Sequence, residues 1–358
     1  MDNAIEKTDK NKNENKKRVV WTLISIVMAV LTIRAVLASG GDISGRELWE
    51  TLKEAHKPYL ALAFLMGALF VWFEAAALWA ILKKTGSYVP MKKALIYSTS
   101  DIYFSAITPS ASGGQPASAY FMYRDGIYMA MVTAALMLNL MMYNLSVVFL
   151  GFGTLILCPG ALSGFGETSK CFIYLGFVVL SLLGLAFYLM LKKGGTVFSL
   201  ASRLVGFLGD KKLIKKADAL KEKIKKTGDD YAGCSKLMAG NKGLALTAFF
   251  WNLLQRSSQI AIPAFVFMAI GGDGRTAAEL FARQCYITIG SNYVPVPGAM
   301  GIADYLMIDG FDGIMGSNTA VRLEMLSRSV SFYICVAVSG LITLAAYLSG
   351  RKKNAGSL

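Results

Sequence analysis

The sequence predicts an all-α polytopic membrane protein with six full spans plus two re-entrant broken-helix hairpins in inverted repeats. Three observations predict it. Of 358 residues, 54% are hydrophobic and 17% are charged, against about 25% charged in an average soluble domain. Two polar, Gly/Pro-rich stretches, 107–116 and 292–301, interrupt apolar segments. Each is followed by a similar tripeptide, Tyr120-Phe121-Met122 and Tyr305-Leu306-Met307. Their offset, 305 − 120 = 185, also places Gly113 on Gly298. Pro109, Pro116, Pro295 and Pro297 cannot continue a regular helix. In lipid the backbone they free survives only where protein or a water-filled cavity surrounds it. Interrupted segments at matching places in two halves are the mark of a transporter-like binding site.

The charge pattern gives the elements in order. Residues 1–18 carry six lysines and arginines and form a cytoplasmic basic tail by the positive-inside rule. The run 19–38 is the first span, retained because no small-residue cleavage site follows it. Residues 39–58 are a polar outer loop with room for a short surface helix. The second span, 59–82, holds Glu74, and a charge at bilayer depth costs about 2.5–3.5 kcal/mol. That cost makes Glu74 a candidate for function, with a structural salt bridge as the plainer alternative. Residues 94–107 are too short and polar for a clean span. With the break and 117–123 they make the first hairpin, ended by Arg124-Asp125-Gly126.

Residues 127–157 form a long span carrying Asn139, Tyr143 and Asn144. Residues 158–170 are an outer loop, and 171–191 return to the inside. The basic connection 192–242 contains a helix at 211–226 whose lysines suit an anionic inner leaflet, with a solvated helix as the alternative. In the fifth span, 243–270, Asn252, Gln255, Arg256 and Gln259 share one face at i, i+3, i+4 and i+7. Residues 277–309 make the second hairpin, with Arg283 and Asp304. The last span, 322–349, pairs Glu324 with Arg328 at i, i+4, and 350–358 are a second cytoplasmic tail. The repeat units are 59–157 and 243–349. Three crossings separate their starts, so they insert in opposite orientations inside a transmembrane domain of 19–349.

Several function classes recede. The net charge of +14 is concentrated between spans, so it does not argue for nucleic acid as a partner. Five scattered cysteines with no CxxC pair, and His56 as the single histidine, predict no metal site and no cofactor. Cys158 and Cys171 flank one loop, either as a disulfide outside the cell or as two small apolar residues at helix ends. No GxxxxGK[ST] loop is present, so ATP hydrolysis by this chain is not expected.

The string Thr108-Pro109-Ser110-Ala111-Ser112-Gly113-Gly114-Gln115-Pro116, with Tyr120, Arg124-Asp125-Gly126 and the later Pro295-Val296-Pro297-Gly298-Ala299-Met300-Gly301, resembles the lysylphosphatidylglycerol synthase transmembrane family. That is the flippase-like membrane region of multiple peptide resistance factor proteins. The resemblance implies translocation of a phosphatidylglycerol-type or lysyl-phosphatidylglycerol lipid between leaflets of a bacterial cell membrane, and resistance to cationic antimicrobial peptides. Two-part members continue into a soluble domain that transfers lysine from lysyl-tRNA. This chain stops at Leu358, so the expectation is that it is not a lysyltransferase on its own, with a separate synthase as one candidate partner.

A polar groove would lower the barrier to a charged headgroup. The candidate substrate-binding residues are Glu74, Arg256, Arg283, Asp304, Gln115, Gly113, Gly114, Gly298, Asn252 and Gln255. Arg256 and Arg283 suit the phosphate through their guanidinium forks. Glu74 and Asp304 suit a lysyl ammonium group. Backbone amides at Gly113-Gly114 and Gly298 suit an anion, while Asp101 and Asp125 are weaker candidates that fit helix caps. Oligomer formation is compatible with this plan. A lysyltransferase, a transporter of another amphipathic solute and a regulatory subunit stand as alternative readings.

Overall fold

The computed structural model describes residues 45–108, 111–210, 217–294 and 301–355. The first expected span at 19–38, the second break around Gly298 and residues 211–216 of the basic helix lie outside them. Among the described residues all regular structure is helical. A short helix, α1 (Gly45–Glu54), occupies the expected outer loop. The described residues from Thr51 onward make one compact unit.

Four described segments of that unit are long and apolar enough to cross a membrane: Lys57–Lys84, Met129–Leu157, Glu167–Val205 and Ser317–Ser349. The protein is a multi-pass membrane protein. Exposed leucines, valines and phenylalanines concentrate on the second and third of these, at Phe149, Phe152, Leu175, Val178, Leu182 and Leu185. In water such a surface would be a liability, but in a bilayer it is the lipid-facing side. The helix over the expected fifth span is not among the four, because its polar face lowers its hydropathy.

Helix α2 (Lys57–Lys84) starts with Pro58 in its first turn, where a missing N–H costs nothing. It packs along the whole of α8 (Lys242–Ala269). The His56 N–H donates to the Ala269 carbonyl at 2.7 Å. At the other end Lys84 Nζ donates to Gly243 O at 3.1 Å and Thr247 Oγ1 at 2.6 Å. Each helix therefore meets the opposite end of its partner, and the pair is antiparallel. The two helices are equal in length, and Lys57 and Lys242 begin them at the same offset as the tripeptides, 242 − 57 = 185.

Each of these helices leads into a helix–break–helix pair. After α2 come α3 (Met91–Ile107) and α4 (Gly114–Arg124). After α8 come α9 (Gly274–Asn292) and α10 (Ile302–Met315). Ile107 and Asn292, which end the helices before the two breaks, stand at that offset again, 292 − 107 = 185. Gly301 enters α10 at φ 83°, in the left-handed region that glycine tolerates.

The remaining long helices frame these pairs. Helix α5 (Met129–Leu157) is followed by a short 3-10 turn (Pro159–Leu162) and α6 (Glu167–Asp210). The sequence placed a helix end at Leu191 because lysines follow. Instead α6 runs on, kinked at Lys193 (φ −123°, ψ 22°), and packs against α7 (Ala217–Ala239). Tyr231 from α7 is buried against this kinked region, and its hydroxyl donates to Met190 O at 3.4 Å. Burial of the second helix thus keeps the first one helical beyond its apolar stretch. The expected last span is built of α11 (Ser317–Arg328), a π-helical segment (Ser329–Ile334) and α12 (Cys335–Ala355). All five cysteines are free, so the Cys158–Cys171 disulfide does not form.

Candidate functional site

A cavity of about 560 Å³ lies where α2, α3, α5, α8, α9 and the π-helical segment converge. Its wall combines apolar groups such as Leu140, Leu180 and Phe187 with Glu74, Asp101, Gln115, Tyr143, Gln255 and Arg256. Charged groups buried among apolar helices require partners or solvent.

Arg256 is 6% exposed. Its guanidinium carbon lies 4.3 Å from the Tyr143 ring centroid and 5.0 Å from that of Phe70, so two aromatic rings hold it by cation–π contact. Nη1 donates to Gln259 Oε1 at 2.7 Å and to the Tyr143 hydroxyl at 3.3 Å, while Nε has no partner. Among the described residues no carboxylate lies within ion-pair distance of it. Tyr143 in turn donates to Asn292 Oδ1 at 2.6 Å, tying this cation to the end of α9 beside the second break. Pro263, four residues after Gln259 and also on the cavity wall, deprives the Gln259 carbonyl of its helical donor.

Two carboxylates face the same space. Glu74 accepts from Gln255 Nε2 at 3.1 Å. Asp101 accepts from Gln115 Nε2 at 2.6 Å and from Ser105 Oγ at 3.0 Å. Gln115 is in the first turn of α4, so Asp101 staples α3 to α4 across the first break. Gly114 lets that happen, because a Cβ there would overlap Asp101 Oδ1 and Ser105 Oγ. Within the break Ala111 adopts φ 51° and lines the cavity. That conformation costs a non-glycine residue roughly 1–2 kcal/mol. Gly113 donates its N–H to Thr108 Oγ1 at 2.9 Å, so one of the two amides expected to bind an anion at this break is already used.

The other predicted residues divide. Asn252 does not line the cavity, but it donates at 2.9 Å to Oδ1 of Asn139, which does, and so joins α8 to α5. Asp304 caps α10 by accepting from the Gly301 N–H at 2.8 Å, and pairs with Arg328 Nε at 2.7 Å. The expected Glu324–Arg328 pair is present but longer, at 3.7 Å. Arg328 therefore brings a cation, held by two carboxylates, to the cavity wall. Arg283 does not line the cavity. Its side chain donates to Glu279 Oε1 at 2.6 Å and to Gly310 O at 2.6 Å, bracing α9 against α10. Asp125 pairs with Lys93 at 3.3 Å and accepts from Tyr97 at 2.7 Å, away from the cavity.

Sequence reasoning underrated Asp101 and missed Arg328 and Phe70 as cavity residues. Phe70 had a signal, since it sits four residues before Glu74 and shares its helix face. Arg328 had none, because its neighbour at i−4 already explained it.

A sequence comparison decides the family: the lysylphosphatidylglycerol synthase TM region matches residues 20–339. The chain belongs to this family. A "UPF0104 membrane protein" of Archaeoglobus fulgidus is 23% identical over 299 residues, covering 80% of this chain and 85% of that protein. The match of the lysylphosphatidylglycerol synthase TM region takes in both helix–break–helix pairs and every cavity residue named above.

Proposed function

We propose that this protein is a lipid translocase that moves a phosphatidylglycerol-type or lysyl-phosphatidylglycerol lipid between membrane leaflets, and so contributes to resistance to cationic antimicrobial peptides. The observation that carries this reading is the Arg256 guanidinium, clamped between Phe70 and Tyr143, with no carboxylate paired to it, in a cavity walled in part by helices apolar enough to cross a membrane. Guanidinium forks match phosphate oxygens, and a buried cation with no carboxylate in direct contact is ready for an anionic headgroup. The acyl tails stay in lipid while the headgroup crosses through the cavity. Glu74 and Asp101, on the same cavity wall, suit an ammonium group.

The antiparallel α2–α8 pair and the offset shared by helix starts, helix ends and tripeptides support two inverted repeats, 59–157 and 243–349. The two breaks then enter from opposite faces of a bacterial inner membrane, with both termini cytoplasmic. The lysines of 211–226, within the basic connection 192–242, meet the anionic inner leaflet. Mass spectrometry of the purified protein tests the ligand. Wild-type protein carries a phosphate-headgroup lipid and Arg256→Ala does not. Equal lipid occupancy in both would remove Arg256 from the headgroup site.

A further inference from the structure

Glu74 and Asp101 are the two acids of the cavity that no cation neutralises. Both are buried, at 8% and 7% exposure. Among the described residues neither forms an ion pair, whereas Asp125, Glu279, Asp304 and Glu324 all do. Their direct partners are neutral: Gln255 for Glu74, and Gln115 with Ser105 for Asp101.

The surroundings hold few other charges. Glu74 on α2 faces Asp101 from α3 and Arg256 from α8. Helix α5 contributes Tyr143, α9 ends in the break with Tyr293, α11 brings Arg328 with its own two carboxylates, and α12 begins with Cys335. Helix α4 adds only the Gln115 amide.

A second observation is independent of charge. Gln255 is 2% exposed, and its Oε1 has no hydrogen-bond donor. One turn back on the same face, Asn252 Oδ1 is likewise buried without a donor. A protonated Glu74 would supply one. With a carboxyl O–H at hand, the Gln255 amide can turn over and accept through Oε1 instead of donating through Nε2.

We infer that the Glu74–Asp101 pair is a proton-binding site coupled to occupancy of the cavity by a lipid phosphate. This rests on the lipid reading above and adds a coupling ion to it. One proton from bulk water adds to a carboxylate oxygen of the pair as the phosphate reaches Arg256. Without that proton the cavity would hold three anions against one uncompensated cation. Phosphate and proton therefore bind together, and by linkage each strengthens the other by the same factor. Asp101 transmits the event to the hairpin, since the hydrogen bonds from Gln115 and Ser105 weaken when their acceptor is neutralised.

The test uses full-length purified protein in detergent and dioctanoyl phosphatidylglycerol, whose phosphodiester keeps one charge throughout. Its Kd is measured from about pH 8 to about pH 6, with a pH dye reporting proton uptake in weakly buffered solution. The expected result is tighter binding at lower pH, by up to about tenfold per pH unit for one proton, with uptake on lipid addition. The double variant Glu74→Gln, Asp101→Asn should bind with a Kd independent of pH and take up no proton. A pH-independent Kd in the wild type, with binding intact and no uptake, overturns the coupling and leaves the lipid site standing. No binding at any pH overturns both.

Discussion

At the residue scale, the cavity depends on what small and planar side chains allow. Gly114 permits α4 to start against Asp101, and a methyl group would collide with side chains from the facing helix. Gly114→Ala should destabilise the protein by about 1–3 kcal/mol, read as a lower unfolding temperature in detergent. Gly153→Ala, in α5 with open space around it, should be neutral or slightly stabilising; equal effects at the two sites would contradict the close approach. The helix-face arithmetic of α8 was legible in the sequence, because i, i+3, i+4 spacing fixes which side chains converge. The Asp101 staple was not, because its partners come from across a break whose geometry no periodicity encodes.

At the element scale, two arginines that look alike in sequence do different work. Arg283 braces α9 against α10 outside the cavity, and Arg328 neutralises Asp304 and Glu324 at its wall. Removing the cation from a buried pair costs about 3–5 kcal/mol. Arg328→Ala should therefore lower the unfolding temperature and also weaken lipid binding, since it removes a cation from the cavity wall and leaves the charge of Asp304 and Glu324 behind it uncancelled. Arg283→Ala should lower stability while the folded fraction keeps its lipid Kd; loss of lipid affinity in that variant would return Arg283 to the site. Among the described residues the positions of most helices were readable from hydropathy and breaks, and α6 is an informative exception. Helix α6 continues past Leu191 because packing on α7 outweighs the local polarity, which is tertiary information absent from a linear pattern.

At the scale of the whole molecule, a single offset relates the helix starts, the helix ends before both breaks and the tripeptides beyond them. The antiparallel contact of α2 and α8 turns that linear repeat into an opposed pair around one cavity, which the sequence could only suggest through its basic loops. The central claim is that this cavity carries a lipid headgroup across the bilayer. The direct measurement is leaflet-resolved movement of fluorescent phosphatidylglycerol in proteoliposomes of the purified protein, followed by quenching of the outer leaflet. Wild-type protein should exchange lipid between leaflets faster than empty vesicles do, and Arg256→Ala, inserted to the same level, should not. Exchange in the wild type no faster than in empty vesicles, or undiminished exchange in Arg256→Ala, would contradict it.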